Sequence, residues 1–173
     1  MKQNYFENLP SWSRGVISIV GVGAVAFIGY QIYVSIKTKQ DLAKSLEAQK
    51  LADKELADLK KNGVVPTKSP AQFEVLSAKI NEAVNDCGTD EEAIYQVFNS
   101  LNNRADLLSL ISAFGIRYYR PCAATDPISY TRYMFNNNSF GGDLSSLLSY
   151  DLDSSEIAKI NNILKSKKID FTF

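Results

Sequence analysis

A chain of 173 residues with 19 Lys/Arg, 19 Asp/Glu and no histidine excludes histidine-based acid–base catalysis, Ser-His and Cys-His nucleophile pairs, and most zinc sites. The charge is unevenly divided: residues 1–70 carry ten Lys/Arg against six Asp/Glu, and residues 71–173 carry nine against thirteen. A basic first part and a mildly acidic remainder argue against a nucleic-acid partner.

Residues 1–15 are a short polar and aromatic lead-in. Residues 16–36, VISIVGVGAVAFIGYQIYVSI, then run for twenty-one positions without a charge or a proline. As a helix this stretch reaches about 31 Å, the thickness of a bilayer's hydrocarbon core. It is longer than a signal-peptide core, and no small-residue cleavage site follows it. The reading is a transmembrane helix that uses the lipid bilayer as its partner. Lys37, Lys39, Lys44 and Lys50 outnumber Lys2 and Arg14 on the other side. The positive-inside rule therefore predicts a single-pass membrane protein with its C-terminal domain on the cytoplasmic side.

Residues 37–62 are rich in Ala, Leu, Lys and Glu, which favour helix. Opposite charges fall at helical spacing, as in Lys44/Glu47 and Lys54/Asp58. Leu42, Leu46, Leu56 and Leu59 share a broad arc while Leu51 points away, too weak a seam for a coiled coil. A solvated helical stalk is predicted, capped by Gly63. Residues 63–70, GVVPTKSP, then read as a linker, because each proline disfavours helix before it.

Residues 71–173 read as helices throughout. Phe73, Leu76, Ile80 and Val84 form one stripe. Thr89-Asp90-Glu91-Glu92 reads as a capping box opening a helix with Ile94, Val97, Phe98 and Leu101. After Asn102-Asn103 comes a helix carrying Leu107, Leu108, Ile111 and Phe114. Asp143 caps a short helix with Leu144, Leu147 and Leu148, and Asp153 to Glu156 starts the last, with Ile157, Ile160, Ile163 and Leu164. The fold class predicted is all-α, with five helices in this domain.

The stretch KINEAVNDCGTDEEAIYQVFNSLNNRADLLSLISAF, followed by GGDLSSLLSYDLDSSEIAKINNIL, resembles one annexin repeat. Gly88-Thr89-Asp90 matches part of that family's G-x-G-T-D loop, and Gly142-Asp143-Leu144 stands where its G-R-D-L segment would, without the Arg. The chain departs from the family in having a single repeat, an insertion at residues 119–140, and Asp86 in place of the first glycine. The resemblance implies a five-helix annexin-like domain and a weak calcium site at Asp86, Cys87, Gly88, Thr89 and Asp151. Calcium takes six to eight oxygens, which loop carbonyls and a carboxylate supply. Losing the first glycine works against such a loop, because other residues disfavour positive φ. The same fold places Cys87 and Cys122 too far apart for a bridge.

The insertion interleaves Arg117, Arg120 and Arg132 with Tyr118, Tyr119, Tyr130, Tyr133 and Phe135. Tyr, Arg and Met are enriched at protein interfaces, so this segment is a candidate partner surface. Aromatic–arginine mixtures also stack on single strands, a weaker reading here. The tail, residues 167–173, alternates Ile169, Phe171 and Phe173 with polar residues, a pattern able to add a strand to a partner sheet or to fold back on the helices. No spaced acid pair emerges from Glu91, Glu92 and Asp143, and no catalytic residue or cofactor is indicated. The expectation is a non-enzymatic, membrane-anchored scaffold protein, in a virion or a bacterial envelope, that presents a helical domain to a protein partner. The alternative is a calcium-dependent module that bridges phospholipid membranes.

Overall fold

The computed structural model describes residues 39–84, 88–119 and 140–173. Thr38–Phe173 is one compact unit. The chain is all-α in class, with six helices among the described residues: α1 (residues 39–61), α2 (Pro70–Ala83), α3 (Glu91–Ser100), α4 (Arg104–Phe114), α5 (Leu144–Asp151) and α6 (Ser154–Ser166). Between α4 and α5 lies an antiparallel pair of three-residue strands, β1 (Arg117–Tyr119) and β2 (Phe140–Gly142).

Each of α2–α6 begins where a side chain can accept from its free N–H groups. Ser69 and Gln72 form a reciprocal capping box ahead of Pro70, whose fixed φ suits a first helical position. Asn103 accepts from the Asp106 N–H, Asp143 from that of Ser146, and Asp153 and Glu156 make a second capping box. One cap differs from the sequence reading. Asp90, not Thr89, caps α3 and accepts from the Ala93 N–H at 2.9 Å. The Thr89 hydroxyl is turned elsewhere.

The apolar stripes converge as their periods require. Phe73, Ile80 and Val84 from α2 meet Ile94, Val97, Phe98 and Leu101 from α3 and its cap. Leu107, Leu108, Leu110, Ile111 and Phe114 of α4 run through the middle, closed by Leu144, Leu147 and Leu148 of α5 and by Ile160 and Leu164 of α6.

Helix α1 is not a solvated stalk. Ser45, Ala52 and Leu56 are buried and Leu59 packs on the core. Positions 45, 52, 56 and 59 recur at helical spacing, so one stripe of α1 docks while Leu46 and Leu51 stay outside, 45% and 61% exposed. Ser45 Oγ lies 3.1 Å from Ser146 Oγ of α5, and Arg104 of α4 pairs with Glu55.

The segment after α1 is no free linker either. Asp106, buried in the first turn of α4, accepts from the Thr67 N–H at 2.6 Å, the Thr67 hydroxyl at 2.7 Å and the Asn102 N–H at 2.8 Å. Lys68 adds an ion pair at 3.6 Å and donates to the Ser100 carbonyl. Asn103 Nδ2 donates to the Val65 carbonyl. The residues before the two prolines, Val65 and Ser69, are non-helical as expected, and Asp106 holds the backbone near Thr67 against the α3–α4 junction.

The single-pass placement with a cytoplasmic C-terminal domain, and the description as a membrane protein, are corrected here. No helix among the described residues is long and apolar enough to cross a membrane. Residues 16–36, on which that expectation rested, lie outside the described residues.

Candidate functional site

Of the residues implied by the annexin resemblance, three are described. Gly88 adopts φ +98°, a region that L side chains rarely enter. Thr89 follows it, and its hydroxyl donates to Asp151 Oδ2 at the end of α5, at 2.6 Å across 62 residues of sequence. The loop before α3 and the aligned carboxylate are therefore neighbours. Asp86 and Cys87 lie outside the described residues, as does Cys122.

The electrostatics of this end are acidic. Burial pushes the Asp151 carboxyl above its ordinary pKa; the Thr89 hydroxyl opposes the shift and Glu91 adds to it. The Tyr95 phenol is raised by burial first, then by Glu156, Glu91, Asp153 and Glu92. The Lys159 ammonium sits 3.9 Å from the centre of the Tyr95 ring, a cation–π contact. Among the described residues no group of three or more His, Cys, Asp or Glu side chains is placed to hold a metal ion. The side chains described at this end bring together one carboxylate, Asp151, and one hydroxyl, Thr89; residues 85–87, whose loop carbonyls the resemblance invokes, lie outside the described residues.

The base of the insertion is the second candidate. Arg117 pairs with Gly142, Tyr118 with Gly141 and Tyr119 with Phe140, so the chain leaves and re-enters the domain at one place. Arg117 pins this base. Its Nε donates to the Phe114 carbonyl at 3.0 Å, and Nη2 donates to the buried Ser77 hydroxyl. Its guanidinium lies 5.0 Å from the centre of the Phe114 ring, and Glu74 stands 4.0 Å from Nη2. The sequence reading counted Arg117 among the partner-facing arginines, whereas its side chain is committed to the domain. Residues 120–139, with Arg120, Tyr130, Arg132, Tyr133 and Phe135, lie outside the described residues.

The tail turns back rather than standing free. Lys168 adopts φ +58° and reverses the chain after α6. Ile169 is buried, and Phe171 and Phe173 pack against the core. Asn161 of α6 holds Phe173 by both amide edges: the Phe173 N–H donates to Oδ1 at 2.9 Å, and Nδ2 donates to the Phe173 carbonyl at 3.2 Å. The Phe173 ring meets Phe98 edge-on at 5.4 Å.

The carboxylates weighed as a catalytic pair are spent structurally. Asp143 is buried and caps α5, while Glu91 and Glu92 occupy the first turn of α3, where they complement the helix dipole. The residue sequence reasoning missed is Asp106. Its signal was present as Asn103-x-x-Asp106, a cap with an acid three residues on. No known protein family, curated protein or solved structure matches this chain.

Proposed function

We propose that this chain is a non-enzymatic protein-binding module, in which a helical domain presents residues 120–139 to a protein partner in a scaffold role. The observation that carries this reading is the β1–β2 ladder, which brackets a segment dense in Tyr and Arg and brings its two ends to one point of the domain. Arginine and tyrosine supply most of the energy at many interfaces, since each buries a large surface and keeps a polar tip. The fixing of Arg117 and the capping of α5 by Asp143 give that segment two firm anchor points. The tail is the weaker candidate surface, because its aromatic side chains are packed on the core. The helix order and the Thr89–Asp151 contact also support an annexin-like repeat carrying an insertion.

The test replaces residues 120–139 by a short glycine-serine linker in the full chain. Thermal melting should stay within a few degrees of wild type while specific co-purifying proteins are lost. A photo-crosslinking residue at Tyr130 should capture the same proteins, and one at Leu51 should not. Retention of every partner by the linker variant would sink the proposal.

The second reading, calcium-dependent phospholipid binding, draws its support from the proximity of Gly88, Thr89 and Asp151. Calcium-dependent capture by anionic vesicles, lost in Asp151→Ala, would favour it over the first.

A further inference from the structure

Arg104 stands where three parts of the fold meet. It is the first residue of α4, and its backbone is fixed by the Asn103 cap, whose side-chain amide also donates to the Val65 carbonyl. Its Nε donates to Glu55 Oε1 on α1. Its Cζ lies 5.8 Å from the centre of the Phe171 ring, in the segment that turns back after α6. The Glu55 hydrogen bond raises the guanidinium's pKa, burial opposes the rise, and the charges of Glu55 and of Asp170, beside Phe171, add to it.

The two contacts use different parts of one group. Glu55 takes a donor at the edge, and Phe171 meets the charge through its ring. They do not compete, so each holds the side chain in the geometry the other needs. Ordering a long, rotamer-rich arginine costs entropy, and ordering it once serves both contacts. The tail has few other holds. Ile169 is buried and its N–H donates to the Leu164 carbonyl at 3.0 Å, while Asn161 and Phe98 hold Phe173. Phe171 and Phe173 are half-buried, with ring centres 4.9 Å apart, so loosening one ring loosens the other. The hinge at Lys168, φ +58°, is a conformation that a residue other than glycine enters at a cost. Residues 169–173 are thus a short strap on a strained hinge, and one of its holds is shared with α1.

We infer that Arg104 is a latch: the docking of α1 and the docking of residues 169–173 are coupled through its side chain, each favouring the other. Such coupling is reciprocal. A partner that takes Ile169, Phe171 and Phe173 as a strand therefore also loosens α1, and one that draws α1 from the core releases the tail. The latch uses neither strand nor residues 120–139, so it stands or falls apart from the protein-binding proposal.

Native-state hydrogen exchange of the full chain tests it. Glu55→Ala removes the acceptor and leaves α1 a good helix former. The Phe173 amide, which donates to Asn161, should exchange about two- to five-fold faster, the factor carried by an exposed cation–π contact. Leu108 and Ile111 in α4 should keep their wild-type rates. In the other direction, Phe171→Leu keeps an apolar side chain and removes the ring, and the Leu56 and Leu59 amides of α1 should speed up by a similar factor. A strap that merely packs on the core would pass nothing through Arg104. Both variants are therefore repeated with Arg104→Lys, which keeps the charge but not the fork. There Glu55→Ala should no longer reach Phe173, and Phe171→Leu should no longer reach α1. Unchanged or slower exchange at Phe173 in Glu55→Ala overturns the proposal, as do effects that persist undiminished alongside Arg104→Lys.

Discussion

Asp106 places a carboxylate with no solvent exposure against two backbone amides, a hydroxyl and an ammonium. Burial pushes its pKa up, but the hydrogen bonds from Thr67 and Asn102 and the charge of Lys68 outweigh that, and the net displacement is downward. A carboxylate whose folded pKa is depressed contributes stability above its unfolded value of about 3.9, which is lost as pH falls through the folded value. Asp106→Ala should therefore cost about 3–5 kcal/mol at neutral pH, because it leaves the Lys68 ammonium and the N–H groups of Thr67 and Asn102 without their acceptor. Urea denaturation at neutral pH measures the loss, and the gap from wild type should narrow below about pH 4. Asp151 has the opposite sign. Its raised pKa favours folding below the unfolded value, and that contribution disappears as pH rises through the folded value. Asp151→Asn keeps an oxygen for the Thr89 hydroxyl and removes the charge. It should melt about 1–4 °C above wild type at neutral pH, with no difference below about pH 4. Millimolar calcium should leave the wild-type melting temperature unchanged; a rise that Asp151→Asn abolishes would establish a site. Asp90→Ala should cost about 1 kcal/mol through the lost cap. At this scale the caps were readable from short polar motifs, but the choice between Thr89 and Asp90 was not. Both residues accept hydrogen bonds, and only the approach of Asp151 gives Thr89 something else to do.

Among elements, α1 shows best what a sequence withholds. Its helix was plain from composition, and so was the outward direction of Leu51. Its docked stripe was not, because Ser45 and Ala52 are small and ambivalent, at home in water or in a close helix contact. The leucines that drew attention divide between the two faces. Leu56→Ala should cost about 2–4 kcal/mol, the range for truncating a buried leucine, while Leu51→Ala should stay within about 0.5 kcal/mol. Paired urea melts of the two variants would measure this, and equal costs would argue that α1 stands free. The tail carries the same lesson in reverse: its alternation suggested an available strand, but Asn161 occupies both its amide edges at Phe173.

At the scale of the molecule, the five helices from Pro70 onward were legible because an apolar stripe and a break mark each of them. The strand pair was not legible, since three residues are too few to show alternation and two of those in β2 are glycine. The pairing of 117–119 with 140–142 joins residues more than twenty positions apart, which no local pattern encodes. Because α1, the Asp106-held segment and the helices share one core, unfolding of Thr38–Phe173 should be cooperative. Far-ultraviolet helicity and near-ultraviolet tyrosine signals should therefore fall together in urea, and an early loss of helicity alone would mean that α1 detaches first. The β1–β2 ladder also bears on how this protein can be remade. Once a chain's exit and return are fixed side by side, lengthening what lies between them costs only closure entropy, about 0.6 kcal/mol for each doubling. Tyr119 and Phe140 therefore mark a splice point: a foreign peptide, or a second copy of residues 120–139, should be accepted there with little loss of domain stability, which makes this helical core a display frame whose cargo is exchangeable.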